Sequence, residues 1–407
     1  MQLLLPLLAM ALLIGIAWLL SAHRSSIKLR TVGPAFALQA AFAGLALYSD
    51  AGVAVLDQVV RVVQHFIDYA NAGIGFMFGP LGNTQQLGLI FAFHVLPVIV
   101  FIASLTSALY YMGIMQKIVA WLGGGLHFLT RTSRAESICA AGNIFIGQSE
   151  TPLLVKPYLS RMTQSELFAV MTGGLASIAG SVMLAYTILG VELKYLIAAC
   201  FMAAPGGLMM AKIIMPETET PDETTSVHIP NEERPANLVD AVAMGAMDGA
   251  KLGLAIGAML IAFIAMVAML NGILTNIGGL VGVENLTFER ILGWLLAPLA
   301  YLLGVAWEET TTVASLIGQK LVLNEFVAFV NLTGGDLALS DHSRAVATFA
   351  LCGFANISSI AILLGGLGGM APSQRPHIAR LGFRAVGAAS LANLMSAALA
   401  SFFLMLQ

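Results

Sequence analysis

The chain has 407 residues, of which 58% are hydrophobic and only 10% are charged, and its formal net charge is −3. An average soluble domain carries about 25% charged residues, because a large share of any globule faces water. This composition excludes an ordinary soluble enzyme and indicates a protein that is embedded in the lipid bilayer. A nearly neutral chain without basic runs also argues against nucleic acid as a partner.

Eight apolar stretches are long enough to cross the hydrocarbon core of a membrane, which takes about 20 helical residues. They are residues 2–20, 33–49, 87–111, 166–189, 193–215, 252–276, 344–365 and 383–405. We predict that the first is a span and not a signal peptide, because its positive charges follow the apolar run. The distribution of Lys and Arg predicts that both termini lie on the external side.

Three further segments are predicted to lie outside the bilayer core. Residues 53–70 place apolar side chains at helical spacing beside a polar face, which is typical of a helix on a membrane surface. Residues 112–130 are a second candidate of this kind. Residues 216–236 carry six acidic residues and four prolines, and we expect them to form a flexible cytoplasmic loop.

Two segments are apolar overall but carry polar residues near their centres, namely residues 135–160 and 307–330. Half of either segment is too short to cross about 30 Å of hydrocarbon at 1.5 Å per residue. We therefore predict two re-entrant hairpins, each entering and leaving on one face. Irregular backbone is tolerated at membrane depth only where it lines protein or a water-filled cavity.

The two hairpins belong to an internal repeat. Both contain Ile-Gly-Gln, at 146–148 and 317–319, and each precedes a Gly-rich apolar stretch, at 174–180 and 353–359. These stretches match as G-[LF]-A-[SN]-I-[AS]-[GS]. In the predicted topology the first hairpin opens to the cytoplasm and the second opens to the outside. The sequence thus predicts an all-α integral membrane protein with eight transmembrane helices and two re-entrant helical hairpins, in an inverted repeat with broken helices.

Polar residues inside these hairpins are the candidates for function. Gln148, Ser149 and Glu150 are consecutive and cannot share one helix face, so we expect them at a non-helical tip. An ionisable side chain at membrane depth is costly and points to function. Glu325 is a second such carboxylate, and its alternative role is a structural ion pair with Lys320.

Two polar residues, Asn356 and Ser359, interrupt the second Gly-rich stretch. Ser and Asn often satisfy freed backbone groups in membrane helices, so these residues alone are weak evidence for a site.

Three motifs resemble the signatures of the concentrative nucleoside transporter family. They are NIFIGQSETPLLVKPY at 143–158, NEFVA at 324–328, and CGFANISSI at 352–360 with MAP at 370–372. They occur in the family's order, and the resemblance covers nearly the whole chain. It implies a sodium-coupled bacterial member in the inner membrane, which imports nucleosides by alternating access of the hairpin-containing domain. It also implies a homotrimer in which each protomer has its own pathway.

The same resemblance implies roles for individual residues. The nucleobase would face the first hairpin tip, and the ribose hydroxyls would be held by the second hairpin and its broken helix. The residues of the nucleoside site would be Gln148, Ser149, Glu150, Val182, Glu325, Phe354, Asn356 and Ser359. The sodium ligands would be the side chains of Asn143 and Ser177 and the carbonyls of Ile146 and Ile178. Ser149 departs from the family, because many relatives have Thr there.

Three alternatives remain open at this point. Proton coupling within the same family is less favoured, because proton-coupled relatives lack an Asn at the position of Asn143. An amino-acid or dicarboxylate carrier would need a fixed cation, and the central motifs offer only Lys320. An intramembrane enzyme could use Glu150 and Glu325 as an acid/base pair, but the sequence offers no nucleophile–base set. We therefore expect a transporter and not an enzyme.

The repeat also divides the chain into five parts. We predict scaffold and interfacial helices in 1–130, a first repeat in 131–190, scaffold spans with the acidic loop in 191–300, a second repeat in 301–366, and a C-terminal span in 367–407.

Overall fold

The structure is a computed structural model that describes residues 3–148, 150–222, 235–280, 282–334 and 337–407. These residues form helices and no β-strand. The helices are α1 (Leu4–Leu19), α2 (Leu29–Leu47), α3 (Asp50–Phe78), α4 (Thr84–Leu87), α5 (Phe91–His94), α6 (Leu96–Tyr111), α7 (Ile114–Thr130), α8 (Arg134–Gly142), α9 (Lys156–Leu159), α10 (Gln164–Ala176), α11 (Gly180–Ile188), α12 (Leu193–Ile214), α13 (Leu238–Leu280), α14 (Phe288–Leu302), α15 (Thr310–Val322), α16 (Glu325–Thr333), α17 (Asp341–Leu351), α18 (Ser359–Met370) and α19 (Arg375–Leu404).

Each of the eight predicted spans coincides with a helix or a helix pair. By length and composition, the described residues contain five membrane-spanning helices: Phe91–Tyr111, Gln164–Ile188, Leu193–Ile214, Leu238–Leu280 and Pro372–Leu404. The bent pair of α2 and α3 meets the same length and composition criteria when it is counted as one span, which would be the sixth. The remaining two predicted spans correspond to α1, an apolar helix of 16 residues, and to the broken pair α17 and α18.

The bend between α2 and α3 measures 78° and separates a span from an amphipathic helix. Ser49 caps α3 by accepting a hydrogen bond from the Gly52 amide at 3.3 Å. A Cβ on Gly52 would lie 1.9 Å from the Leu45 carbonyl oxygen, so only glycine fits this turn. The structure therefore forms the predicted helix at 53–70 as part of the longer α3. The second candidate, 112–130, forms α7.

The core of the molecule surrounds α12, which is almost entirely buried. It packs against α2, α10, α17 and α19, and these helices bring most of the buried apolar side chains together. By contrast, α13 pairs with α6 and leaves most of its length exposed. An apolar helix surface of this kind requires lipid or another protein as its neighbour.

Each predicted hairpin segment consists of helices joined by a break, and both predicted broken helices are present, but the breaks of these two helices differ in length. In the first repeat α10 ends at Ala176 and α11 begins at Gly180, whereas in the second the non-helical segment covers 352–358. Gly174 consequently lies inside α10, while its sequence counterpart Gly353 lies in the break. The seven-residue match of the repeat therefore holds in sequence but not residue by residue in secondary structure.

Residues 216–222, the first part of the predicted loop at 216–236, form no helix, and two of their acidic side chains contact neighbouring parts of the chain. Glu217 lies 3.7 Å from the Lys212 ammonium and accepts a hydrogen bond from the Thr163 hydroxyl at 2.9 Å. Asp222 forms an ion pair with Arg161 at 2.9 Å. These charges hold the segment against the helices, and residues 223–234 lie outside the described residues.

Candidate functional site

The two hairpins and the two breaks meet at one place, and backbone hydrogen bonds join them. In the first repeat the Gly180 amide donates to the Phe145 carbonyl of the hairpin tip at 3.1 Å. In the second repeat the Ile357 amide donates to the Leu321 carbonyl of its hairpin at 3.2 Å. Each hairpin thus supplies a carbonyl to the break of its own repeat, which anchors the irregular backbone at membrane depth.

Glu325 is a candidate side chain held by two hydrogen-bond donors, and it is 5% exposed. It is the first residue of α16, where the helix N-terminus favours a carboxylate. Its Oε1 accepts from the Tyr186 hydroxyl at 3.0 Å, and its Oε2 accepts from the Asn356 amide at 3.2 Å. A carboxylate oxygen has two lone pairs, so both oxygens can still accept another donor.

Asn356 connects Glu325 to the start of α18. Its Oδ1 accepts from the Ser359 amide at 2.9 Å and from the Ser358 hydroxyl at 2.7 Å. Its Nδ2 is therefore free to donate to Glu325. The structure brings together the three residues that the family resemblance assigns to the ribose: the side chains of Glu325 and Asn356 are hydrogen-bonded to each other, and Ser359 joins them through its backbone amide.

Lys320 does not pair with Glu325, so that alternative interpretation is wrong. Within the described ranges no acidic oxygen lies within 4 Å of the Lys320 ammonium. It donates instead to the Ala350 carbonyl at 2.9 Å and to Asn393 Oδ1 at 2.6 Å. The side chains that donate to the Glu325 carboxylate are therefore the neutral Tyr186 and Asn356, and Lys320 acts on it only from beyond 4 Å.

The first hairpin tip presents its polar residues differently from the second. Gln148 is buried, and its Oε1 has no hydrogen-bond partner among the described residues. Glu150 is exposed at the tip. Ser149 lies outside the described residues. No hydrogen bond among the described residues joins Gln148 or Glu150 to the Glu325 cluster, so the two polar groups are not bonded directly to each other.

Two apolar residues of the predicted nucleoside site lie beside the breaks. Val182 is buried in the first turn of α11. Phe354 is half-buried in the second break, and its amide donates to the Ser177 carbonyl at 3.2 Å. That hydrogen bond joins the break of one repeat directly to the break of the other.

Three of the four oxygens of the predicted sodium site have no hydrogen-bond donor among the described residues, and the fourth makes one long contact. Asn143 ends α8, is 2% exposed, and has an Oδ1 without a hydrogen-bond partner in the described part of the chain. No described backbone amide donates to the Ile146 or Ile178 carbonyl. The Ser177 hydroxyl has only a long contact, 3.4 Å, with a carbonyl of its own helix. Neutral oxygens of this kind fit a hard monovalent cation such as Na⁺.

Glycines of α10 allow the hairpin tip to approach this helix. A Cβ on Gly173 would lie 3.4 Å from the Asn143 amide nitrogen, and one on Gly174 would lie 2.9 Å from the Gln148 Cβ. Larger residues would displace the tip. Among the described residues no group of three or more His, Cys, Asp and Glu side chains could hold a metal ion.

Sequence reasoning missed Tyr186 and Asn393. Tyr186 is fully buried and packs its ring against Phe326 and Phe329, with centroid distances of 4.9 Å and 4.4 Å. The available signal was its position four residues after Val182, on the same face of an apolar helix. Asn393 could have been noticed as a lone amide in the apolar run that ends the chain.

Three family models match consecutive parts of the chain. The model for the C-terminus of Na⁺-dependent nucleoside transporters matches residues 195–401, and the model for their N-terminus matches residues 8–81. Between them, a gate model described as nucleoside recognition matches residues 92–191. Together these models cover both hairpins and both breaks.

Individual proteins are similar over the whole length. The nucleoside permease NupC of Helicobacter pylori is 45% identical over 97% of this chain and 96% of its own. A solved structure of CNTnw in an inward-facing substrate-bound state has a TM-score of 0.96 at 49% identity, covering 100% of this chain and 99% of that one. A CNTnw variant in an outward-facing state has a TM-score of 0.97 at 49% identity and covers 100% of both chains.

Proposed function

Since the chain belongs to the family of Na⁺-dependent nucleoside transporters, we propose that it imports nucleosides across a bacterial inner membrane by sodium symport. It is a multi-pass membrane transporter and not an enzyme. The observation that carries the proposal is the buried cluster of Glu325, Asn356 and Tyr186, a charged acceptor held by neutral donors at the meeting point of the repeats.

The cluster is suited to a ribose. Ribose hydroxyls are donors, and a carboxylate accepts from them through charge-assisted hydrogen bonds. Glu325 keeps lone pairs for them, because Tyr186 and Asn356 each use one. A solute without hydroxyls would leave this buried charge unpaired, which is costly, so the site selects nucleosides over free bases.

In this proposal the nucleobase lies next to the tip of the first hairpin. The Gln148 amide can both donate and accept, and the Glu150 carboxylate accepts from N–H groups on a base edge. Ser149 stands between them in the sequence, and Val182 and Phe354 supply apolar surface for the rings. The unpartnered Oε1 of Gln148 supports this assignment.

Sodium binds between Asn143, Ile146, Ser177 and Ile178 in this proposal, close to the base side of the pocket. The Asn143 Oδ1, which has no hydrogen-bond partner among the described residues, and the Ile146 and Ile178 carbonyls, which accept from no described amide, support that position. One charge that crosses about 100 mV supplies roughly 2.3 kcal/mol, which is enough to drive accumulation even before the sodium gradient is added.

Alternating access is the family's mechanism, since relatives have been solved in inward-facing and outward-facing states. We propose that the parts that move are the two repeats, 131–190 and 301–366, against scaffold helices in 1–130 and 191–300, with 367–407 as the last span. The hydrogen bonds from each break to its own hairpin support movement as one body. We also propose a homotrimer, and the exposed apolar face of α13 is available as its interface.

Uptake into proteoliposomes tests the function. Radiolabelled uridine and adenosine should accumulate with an inward sodium gradient and not when choline replaces sodium. Unlabelled uridine should compete, and unlabelled uracil should not. Uptake that ignores sodium but rises with external acidity would establish proton coupling, and uptake of aspartate would establish the other class of carrier.

A further inference from the structure

The side chain of Asn393, in the middle of α19, lies between the two breaks. Its Nδ2 donates to the Ala176 carbonyl at 2.6 Å and to the Cys352 carbonyl at 2.8 Å. Ala176 is the last residue of α10, and Cys352 is the first residue after α17. The Asn393 amide group therefore donates a hydrogen bond to a carbonyl at the C-terminal end of the first half-helix in each repeat.

Lys320 fixes the orientation of this amide. The Lys320 ammonium donates to Asn393 Oδ1 at 2.6 Å and to the Ala350 carbonyl at 2.9 Å. A lysine has no acceptor, so the oxygen of the amide must face it and the nitrogen must face the two carbonyls. The second hairpin, which contains Lys320, thereby determines how Asn393 holds both breaks.

The backbone of the second break is pressed against Asn393. A Cβ on Gly353 would lie 2.4 Å from Asn393 Oδ1 and 2.7 Å from the Ala176 carbonyl oxygen, so glycine is required here. The next residue, Phe354, donates its amide to the Ser177 carbonyl at 3.2 Å. A displacement of either break therefore changes the contacts of the other.

Burial of a charge argues that this arrangement has a role beyond packing. Lys320 is 2% exposed, and no acidic oxygen in the described segments lies within 4 Å of its ammonium. Glu325 acts on it only from beyond that distance, and a buried charge without a counter-ion in contact is costly. The other fully enclosed lysine, Lys212, has carboxylate partners in Glu136 and Glu217, which is the usual solution.

We propose that Asn393, oriented by Lys320, is a positioning residue that couples the sodium side of the site to the ribose side. Ala176 adjoins Ser177 of the proposed sodium site, and Cys352 adjoins the break that carries Phe354 and Asn356. When an ion orders the first break, the second break is ordered as well, because the Asn393 amide and the Phe354–Ser177 hydrogen bond join the two. The inference rests on the proposed function, and it adds the connection through which coupling passes.

Equilibrium binding of uridine to the purified protein, by calorimetry in sodium and in choline, measures this coupling. The ratio of the two dissociation constants is the coupling factor, which lies typically between about 5 and 150 for linked sites. Asn393→Ala should bring the factor close to 1, and Lys320→Gln should lower it less, because glutamine keeps a donor without the charge.

Ser396→Ala is the matched control. Ser396 lies one turn after Asn393 on α19, is equally buried, and accepts a hydrogen bond from Gln39 at 3.0 Å, away from the breaks. It should lose some thermal stability and keep the wild-type coupling factor. A coupling factor that stays at the wild-type value in Asn393→Ala and Lys320→Gln overturns the inference and leaves the proposed function intact. If the wild type itself binds no uridine, or binds it equally with and without sodium, the proposed function fails and the inference fails with it.

Hydrogen–deuterium exchange of the wild type tests the same connection without relying on a variant that folds. Sodium alone should slow amide exchange at 177–180 and also at 352–357, since the breaks share Asn393. Protection confined to the first break would contradict the proposal, and protection of both breaks supports it even if the variants cannot be purified.

Discussion

The hydroxyl of Tyr186 donates a hydrogen bond to Oε1 of Glu325 at 3.0 Å, and 139 residues of chain separate the two. This contact links the helix after the first break to the tip of the second hairpin. Because the Tyr186 ring is fixed by Phe326 and Phe329, its hydroxyl is held in place before any ligand arrives. The carboxylate is thus pre-organised toward the space where a sugar would bind.

Removal of this hydroxyl should weaken nucleoside binding while the ring packing is retained. Tyr186→Phe removes one donor to a charged acceptor, a change worth about 1.5–3 kcal/mol. We expect the uridine Kd from calorimetry to rise by about ten- to a hundredfold, with little change in thermal stability. Unchanged affinity in a well-folded Tyr186→Phe protein would show that Tyr186 does not orient Glu325 for the substrate.

Glu325→Ala should nearly abolish binding, because it removes the charged partner of the ribose hydroxyls. Truncating one side of a buried charged pair costs about 2–5 kcal/mol. Deoxyuridines sharpen the test. The wild type should bind 3′-deoxyuridine much more weakly than uridine, whereas Glu325→Ala should bind the two almost equally weakly. A variant that still prefers uridine to the deoxy analogue would place the ribose contact elsewhere.

A buried ion pair at the start of the first hairpin should matter for stability and not for selectivity. The Lys212 ammonium bonds to the Glu136 carboxylate and to the Ser165 hydroxyl, the latter at 2.8 Å. Lys212→Met leaves Glu136 buried without its partner, which costs about 3–5 kcal/mol. The melting temperature should therefore fall clearly, and the double variant Lys212→Met with Glu136→Gln should recover part of the loss.

The uridine-to-uracil preference of the folded fraction is the check on that interpretation. It should equal the wild-type preference in both variants, because neither residue contacts the Glu325 cluster. A changed preference would mean that the pair helps to shape the substrate site.

The membrane spans could be predicted because their cause is local. The thickness of the bilayer demands about 20 apolar residues in one run, and such a run is visible in the sequence without any knowledge of its neighbours. The polar hairpin tips were visible for the same reason, as interruptions in apolar sequence. Glu325 and Gln148 could therefore be recognised as candidates before any contact was known.

Contacts between distant parts of the chain could not be predicted in this way. The second break is longer than the first, and its backbone is held by Asn393 from the last helix and by Leu321 of the hairpin. The segment after Met215 is acidic and proline-rich by composition, yet Glu217 accepts a hydrogen bond from the Thr163 hydroxyl, 54 positions earlier in the chain. In both cases the decisive partner lies far away in the sequence.

Asn143 provides the test of the coupling ion. If its orphaned oxygen is a sodium ligand, Asn143→Ser should weaken the sodium dependence of uridine uptake, because the shorter side chain moves its oxygen away from the break. We expect the sodium concentration for half-maximal uptake to rise by at least about tenfold, since even supporting residues change metal affinity by about 10–100-fold. Binding linkage is reciprocal, so saturating uridine should tighten sodium binding by the same factor that sodium tightens uridine binding.

The same substitution at an exposed position is the control for this experiment. Asn276→Ser, on the outer part of α13, removes an amide that bonds only to its own helix at 2.9 Å and should leave sodium activation unchanged. The measurement is the initial rate of uridine uptake against external sodium for the three proteins. If Asn143→Ser and Asn276→Ser both follow the wild-type curve, sodium binds at other oxygens, and the Ile146 and Ile178 carbonyls, which accept from no described amide, must be explained without an ion.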